Sequence, residues 1–297
     1  MKRVTLIVNP FASGVTEERV RAVERELGVA AAVHTVRTDR PGHATELVAS
    51  AGDVDAVVVF SGDGGFNEAV NGADGRLPFG FLPGGSTNVL PRALGLPRDA
   101  AEAARVVAGA FDRGSTRRIS LGRVNGRRFT FAAGIGFDAE LVRRVDAWGR
   151  REDGRRAGDL VFAWTAVRAL AERCGRLEPA LEVAGHGRAA FVLVANTDPY
   201  TYAGPLPLHV APAARFESGL DVVAPTRVRP TVLPRLLRYA VGGRGQETAS
   251  DVFYAHDLDR IQIRCDMPLP LQADGEDLGD VAEAVFECER EALAVLR

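Results

Sequence analysis

The stretch that most constrains this chain runs from Val54 to Phe60 and straight on through Ser61-Gly62-Asp63-Gly64-Gly65-Phe66-Asn67-Glu68. Val54 to Phe60 reads as a strand buried on both faces, the kind found in a parallel sheet. The glycines behind it let backbone N–H groups approach a ligand closely. The helix predicted to follow, ending near Gly72, turns the positive end of its dipole toward phosphate. An aspartate inside such a loop repels phosphate unless it handles a cation or a proton. Asp63 therefore points to Mg²⁺ coordination, direct or through water, or to base work. The plainer alternative is a tight strand-to-helix turn with a capping aspartate.

The rest of the first third repeats this alternation. Val4 to Val8, Val33 to Arg37 and Phe79 to Leu82 read as strands. Helices are predicted from the cap at Thr16 to Gly28, from Pro41 to Ala51 and from Pro97 to Ala110. Strands alternating with helices give a parallel sheet with crossover helices. Two further loops have phosphate-compatible chemistry: Asn9-Pro10-Phe11-Ala12-Ser13-Gly14 after the first strand and Pro83-Gly84-Gly85-Ser86-Thr87-Asn88 after the fourth. Ligands of open α/β sheets sit beyond the carboxyl ends of the strands, so the three loops are expected to converge on one crevice. Neither GxxxxGK[ST] nor GxGxxG occurs, which takes support from P-loop and dinucleotide readings.

From Arg117 the rhythm changes to short strands and turns. Strands are predicted at Arg117 to Val124 and, after an Asn125-Gly126 hairpin signal, at Phe129 to Ala133. Helices follow at Asp138 to Trp148 and Ala157 to Cys174. Strand-like runs then lie at Leu181 to Val183, Ala190 to Asn196, Leu220 to Val223, Val252 to Ala255, Arg260 to Arg264 and Leu269 to Ala273. A mostly antiparallel second domain fits this pattern. The expected division is residues 1–117 as an α/β nucleotide-binding domain and 118–289 as the second, with a tail at about 290–297 packing back on the first.

Several classes lose support on composition. With 37 basic and 39 acidic residues the net charge is −2, which supplies no basic field for a nucleic-acid backbone. No apolar run reaches the roughly 18 residues of a spanning helix. The apolar start of the chain is too short for a signal peptide, so a cytoplasmic protein is expected. Cys174, Cys265 and Cys288 fit neither a disulfide framework nor a metal clip, and the histidines show no HxxxH or HExxH spacing.

Six blocks carry a resemblance across almost the whole chain: NPFASG at 9–14, TDRPGHA at 38–44, SGDGGFNEAVNG at 61–72, FGFLPGGSTNVLPRALGLP at 79–97, AAGIGFDAELV at 132–142 and ADGE at 273–276. In this order they resemble the diacylglycerol kinase catalytic-domain family, bacterial lipid kinases related to sphingosine kinases and, more distantly, to NAD kinases and phosphofructokinases. The resemblance implies an open α/β nucleotide-binding domain, a C-terminal β-sandwich domain and an active site in the cleft between them. ATP and Mg²⁺ are the implied cofactors. Asn9, Pro10, Ser13 and Gly14 would border the nucleotide, with Thr38 near it. Gly62, Asp63, Gly64, Gly65, Asn67 and Glu68 would wrap the phosphates, joined by Gly85, Ser86, Asn88 and Asp274. Glu276 corresponds to the glutamate taken in bacterial relatives as the base on the lipid hydroxyl. Sphingosine kinases assign that role to the aspartate of SGDG, so Asp63 and Glu276 are both candidates.

Departures from the family pattern matter as well. Gly65 replaces a threonine and Val15 a frequent basic residue. Val89, Ser120 and Ser218 stand where acidic residues help relatives hold a structural Mg²⁺. A hard dication needs charged oxygen ligands, so this second metal is expected to be missing, with Glu217 a partial substitute. On the acceptor side, Leu141, Val142, Val145, Trp148, Phe162 and Trp164 would line a lipid entrance, and the arginines from Arg143 to Arg156 would meet anionic headgroups; a plain core helix and a solvated loop explain the same residues. The reading is a lipid kinase that moves the γ-phosphoryl group of ATP to a diacylglycerol-like hydroxyl. It would work transiently at the inner face of the membrane, and a homodimer is compatible with it. The alternatives are a sphingosine, ceramide or NAD-type acceptor, and a binding protein with little catalysis.

Overall fold

Arg3–Val8 forms β1, buried beyond its first residue, as its Val/Leu/Ile content requires. The computed structural model describes residues 2–147, 165 and 168–297. They divide into two units, Met1–Ser120 with Glu291–Arg297 and Leu121–Arg290.

In the first unit β1 is followed by α1 (Glu17–Leu27), β2 (Ala32–Arg37), α2 (His43–Ala49), β3 (Ala56–Ser61), α3 (Asp63–Gly72), β4 (Phe79–Pro83), α4 (Val89–Ala93), α5 (Ala100–Arg113) and the start of β5 (Thr116–Val124). Thr16 caps α1, its side chain accepting from the Arg19 amide, while Val20, Val23 and Leu27 form the buried stripe. β1 pairs in parallel with β2 on one side and β3 on the other, and β3 pairs in parallel with β4. Every residue of β3 and β4 is buried. The sheet order β4-β3-β1-β2 reverses direction between β1 and β3, which makes a topological switch point at their carboxyl ends. Val295, near the end of the chain, pairs in parallel with Phe79.

The predicted helix Pro97 to Ala110 resolves differently. A short α4 opens directly behind the PGGSTN loop, and α5 starts only after Asp99, whose carboxylate accepts from the Ala101 and Glu102 amides.

The second unit contains the rest of β5, then β6 (Arg127–Phe129), β7 (Ala132–Ile135), α6 (Phe137–Ala147), β8 (Leu181–Val183), β9 (Gly187–Ala189), β10 (Val192–Ala195), β11 (Thr201–Ala203), β12 (Leu206–Leu208), β13 (Leu220–Pro225), α7 (Leu233–Gly242), β14 (Val252–Leu258), β15 (Arg260–Ala273) and most of β16 (Glu276–Leu296). The strand pairs given by β10 with β13 and β7, by β13 with β14, and by β15 with β16, β7 and β8 are all antiparallel. Their inward residues, among them Phe129, Ile135, Val192, Val222, Ile263 and Phe286, pack into one core. Asn125 and Gly126 both have positive φ, 47° and 91°, in the two-residue turn between β5 and β6 that their sequence calls for.

The predicted strand Phe129 to Ala133 is broken at Thr130 and Phe131. The amides of Thr130, Phe131 and Ala132 all donate to the Asp274 carboxylate. A side chain thus replaces the ladder at that point.

Candidate phosphate-binding and acceptor-side residues

The loops after β1, β3 and β4 are laced together at the switch point. The Asn9 amide donates to Phe60 O at 3.0 Å, and its side-chain Nδ2 to Ser61 Oγ at 3.2 Å. The Gly14 amide donates to Gly84 O at 2.8 Å and the Gly84 amide to Ser61 O at 2.7 Å. The third loop is braced internally by Asn88. Its Oδ1 accepts from the Gly85 amide and its Nδ2 donates to Gly85 O, both at 2.7 Å. Asn88 itself is in the left-handed region at φ 52°, which asparagine tolerates better than most residues.

Glycine is required where these loops touch. A Cβ on Gly85 would sit 2.8 Å from Gly62 Cα, and one on Gly84 would sit 2.8 Å from Val15 Cγ2 and 3.0 Å from Ser61 O. At Gly65 a Cβ would meet Ser61 Cβ at 2.8 Å, so the absence of a threonine here is matched by the space Ser61 fills.

α3 starts at this junction with Gly62 as its N-cap and no side chain capping it. Its first-turn amides, including those of Gly64 and Gly65, therefore face the loops with the helix dipole behind them. Asp63 ties α3 to α4, its Oδ1 accepting from the Leu90 amide at 3.3 Å. Ser86 and Ser13 are exposed on their loops, as is Pro10.

Asn67 is buried and Glu68 half-buried. Glu68 turns toward α2: its Oε2 accepts from the Ala44 amide at 3.3 Å, and its backbone O accepts from Thr45 Oγ1 at 2.8 Å. Thr38 is buried at the end of β2, its amide donating to Val8 O at 2.9 Å. These last three residues build the frame behind the loops.

The second unit holds Asp274 and Glu276. Asp274 is 1 % exposed, with its carboxylate receiving the Thr130 amide at 2.6 Å, Thr130 Oγ1 at 2.9 Å, and the Phe131 and Ala132 amides at 3.0 and 3.3 Å. This carboxylate ties the start of β7 to the turn after β15. Glu276 is half-buried in an ion pair with Arg127.

Behind the turn lies a relay that the sequence reading missed. Tyr200 Oη donates to Asp138 Oδ1 at 2.7 Å, Gln272 Nε2 donates to Asp138 Oδ2 at 2.7 Å, and the Gly275 amide donates to Gln272 Oε1 at 2.9 Å. Burial pushes the Asp138 carboxyl above its usual range, partly offset by the bonds from Tyr200 and Gln272, and burial beside Asp138 pushes the Tyr200 hydroxyl well up. Asp138 lies within the block AAGIGFDAELV, the one signal that could have found it; nothing in the sequence joins it to Tyr200 or Gln272.

Val89 is a buried residue of α4 and Ser120 a buried residue of β5. Ser218 closes a local turn, its Oγ donating to Arg215 O at 2.8 Å. Among the described residues no three of His, Cys, Asp and Glu gather in a way that could hold a metal ion. Of the acceptor-side residues, Leu141 and Val142 are buried in α6. Trp148, Phe162 and Trp164, with residues 148–156 of the arginine run, lie outside the described residues.

Two family models match successive parts of this chain. Residues 3–124 match the diacylglycerol kinase catalytic domain, and residues 132–297 match the YegS C-terminal NAD kinase beta sandwich-like domain. The chain belongs to the diacylglycerol kinase catalytic-domain family. It is 26% identical to a Streptococcus pneumoniae protein named "Putative lipid kinase", over 93% of this chain and 92% of that one. It is 36% identical to a Bacillus subtilis diacylglycerol kinase over 150 residues, 48% of either chain.

Among solved structures, a Bacillus anthracis diacylglycerol kinase superposes with TM-score 0.72 at 21% identity, covering 99% of this chain and 96% of that one. An NAD kinase from Archaeoglobus fulgidus in complex with ATP gives TM-score 0.53 at 12% identity, covering 99% and 93%. The kinase family thus has an NAD kinase-like first domain and a sandwich-like second one in this chain. No helix among the described residues is long and apolar enough to cross a membrane.

Proposed function

We propose that this member of the family transfers the γ-phosphoryl group of ATP to the hydroxyl of a diacylglycerol-like lipid. The observation that carries the reading is the junction at the β1/β3 switch point. Three glycine-bearing loops, held by the Gly14–Gly84, Gly84–Ser61 and Asn9–Ser61 hydrogen bonds, surround the uncapped start of α3. Backbone amides and a helix dipole aimed at one place are what a polyphosphate needs. Ser13 and Ser86, exposed on the flanking loops, add hydroxyl donors.

Asp63 is the carboxylate inside this junction. Mg²⁺ bound to nucleotides takes one or two carboxylates plus phosphate oxygens and waters, so Asp63 would supply the carboxylate to a metal that arrives with ATP. The ion would neutralise charge on the β- and γ-phosphates.

In the transfer, the lipid hydroxyl oxygen bonds to the γ-phosphorus, the bond from that phosphorus to the β–γ bridging oxygen breaks, and ADP leaves. The hydroxyl proton passes to a carboxylate, Asp63 or Glu276. Arg127 orients Glu276 through their ion pair, and the Asp138–Gln272–Gly275 relay fixes the turn that carries it.

Phosphate transfer from radiolabelled ATP with Mg²⁺ to diacylglycerol, sphingosine, ceramide and NAD tests the reading. Label in phosphatidic acid alone is the expected result. Label in NAD alone would move the protein to a soluble acceptor. ATP binding with no labelled product would leave a binding protein.

A further inference from the structure

Helix α7 stands apart from the elements discussed so far, because part of its apolar surface covers nothing. Its inner side is ordinary: Tyr239 is buried, and Leu233 and Leu236 pack on the small clusters formed by Leu177, Ala190 and Val228 and by Ala195, Ala211 and Val223. Its outer side carries Leu237 at 65% and Val241 at 44% exposure. These two are one helical turn apart, with exposed Pro234 and Arg238 on the same side.

The segment that carries this stripe has side-chain charge of one sign. From Thr226 to Gln246 the sequence holds Arg227, Arg229, Arg235, Arg238 and Arg244 and no aspartate or glutamate. Arg227 is matched by Glu178 and Arg235 by Asp251. Arg229, Arg238 and Arg244 are exposed and make no ion pair among the described residues. The acid next in sequence, exposed Glu247, accepts from the Gly245 amide.

We propose that the outer face of α7, with Arg229, Arg238 and Arg244, is a docking surface for an anionic lipid bilayer. Leu237 and Val241 would enter the acyl boundary while the three arginines meet phosphate headgroups, the arrangement of an interfacial amphipathic helix. A helix face with apolar tips, flanked by arginines that make no ion pair among the described residues, suits a charged planar interface. As a docking surface the helix is argued from its own exposure and charge. As the means by which the protein reaches a lipid acceptor, it rests on the kinase reading above.

The test uses the full chain and sedimentation with vesicles of phosphatidylcholine alone or enriched in phosphatidylglycerol. Binding to the anionic vesicles only is expected, weakening as salt rises. The pair Arg238→Ala and Arg244→Ala should weaken it about thirtyfold, since each basic residue near such a surface contributes about fivefold. Leu237→Ser with Val241→Ser should also weaken it. All four side chains are exposed, and unchanged circular dichroism will show that the variants fold.

Equal binding to both vesicle types, no binding at all, or variants that bind like the parent would each overturn the proposal. So would self-association that the serine pair abolishes while vesicles remain unbound. A parallel assay with a short-chain, water-soluble diacylglycerol separates the two claims. Transfer to it with no vesicle binding refutes docking and leaves the kinase reading intact, whereas vesicle binding without transfer to any acceptor does the reverse.

Discussion

Replacing Asp274 by alanine should destabilise the second unit by about 3–5 kcal/mol. The carboxylate receives three backbone amides and one hydroxyl at 2.6–3.3 Å. Alanine would leave all four donors buried, and the Thr130 hydroxyl is the one that can rotate to another acceptor. Three stranded amides at about 1 kcal/mol or more each set the lower bound, and the cost of breaking a buried charged network sets the upper one. Asp274→Asn should cost roughly half as much. Asparagine keeps one acceptor oxygen and tolerates the φ of 49° at this position. Urea unfolding of the full chain gives the total, and hydrogen exchange at the Thr130, Phe131 and Ala132 amides locates it, which matters because two units need not unfold as one. An alanine variant within about 1 kcal/mol of the parent, with those amides still protected, would refute the clamp.

Three other outcomes follow from named contacts. Gly85→Ala places a Cβ 2.8 Å from Gly62 Cα and should weaken ATP binding at least about tenfold in calorimetry by forcing the loops apart, whereas Gly52→Ala, with open space around it, should change nothing. Burial raises the Asp138 carboxyl, so the folded state holds that proton to higher pH than the unfolded chain; stability measured against Asp138→Asn should fall as pH rises from about 4 through the raised value, and a rising or flat difference would be wrong. Burial also lifts the Cys265 thiol to about 11, so a disulfide reagent at neutral pH should label exposed Cys174 and spare Cys265 until the protein unfolds.

The parallel sheet and its loops were legible because local chemistry decides them. The Val/Ile runs of β1 and β3, the Thr16 cap and the Asn125-Gly126 turn each answer to a few neighbouring residues. Long-range pairing was not legible. β15 runs unbroken from Arg260 to Ala273, joining the two predicted runs Arg260 to Arg264 and Leu269 to Ala273 through Pro268, by shifting register between Arg264 and Leu269 and again between Pro270 and Gln272. β16, from Glu276 to Leu296, has too many charged residues to stand out as one strand. α7 was missed because Pro234 and the arginines interrupt its apolar pattern, although proline is at home in a first helical turn.

The candidate site divides the same way. The glycine loops were visible because glycine at close backbone contacts is a property of the position itself. The partners of Asp274 are more than 140 residues away in sequence, and those of Asp138 lie 62 and 134 residues on. Only the folded chain brings these together.

The most direct test of the central claim is transfer of radiolabelled phosphate from ATP to diacylglycerol in mixed micelles with Mg²⁺, using the parent chain beside Asp63→Ala and Glu276→Ala. Labelled phosphatidic acid is expected from the parent, with a loss of at least about a hundredfold in one or both variants and nucleotide affinity kept by Glu276→Ala. Both variants as active as the parent would contradict the assignment of the acceptor proton. No label in any lipid, with ATP bound, would contradict the activity itself.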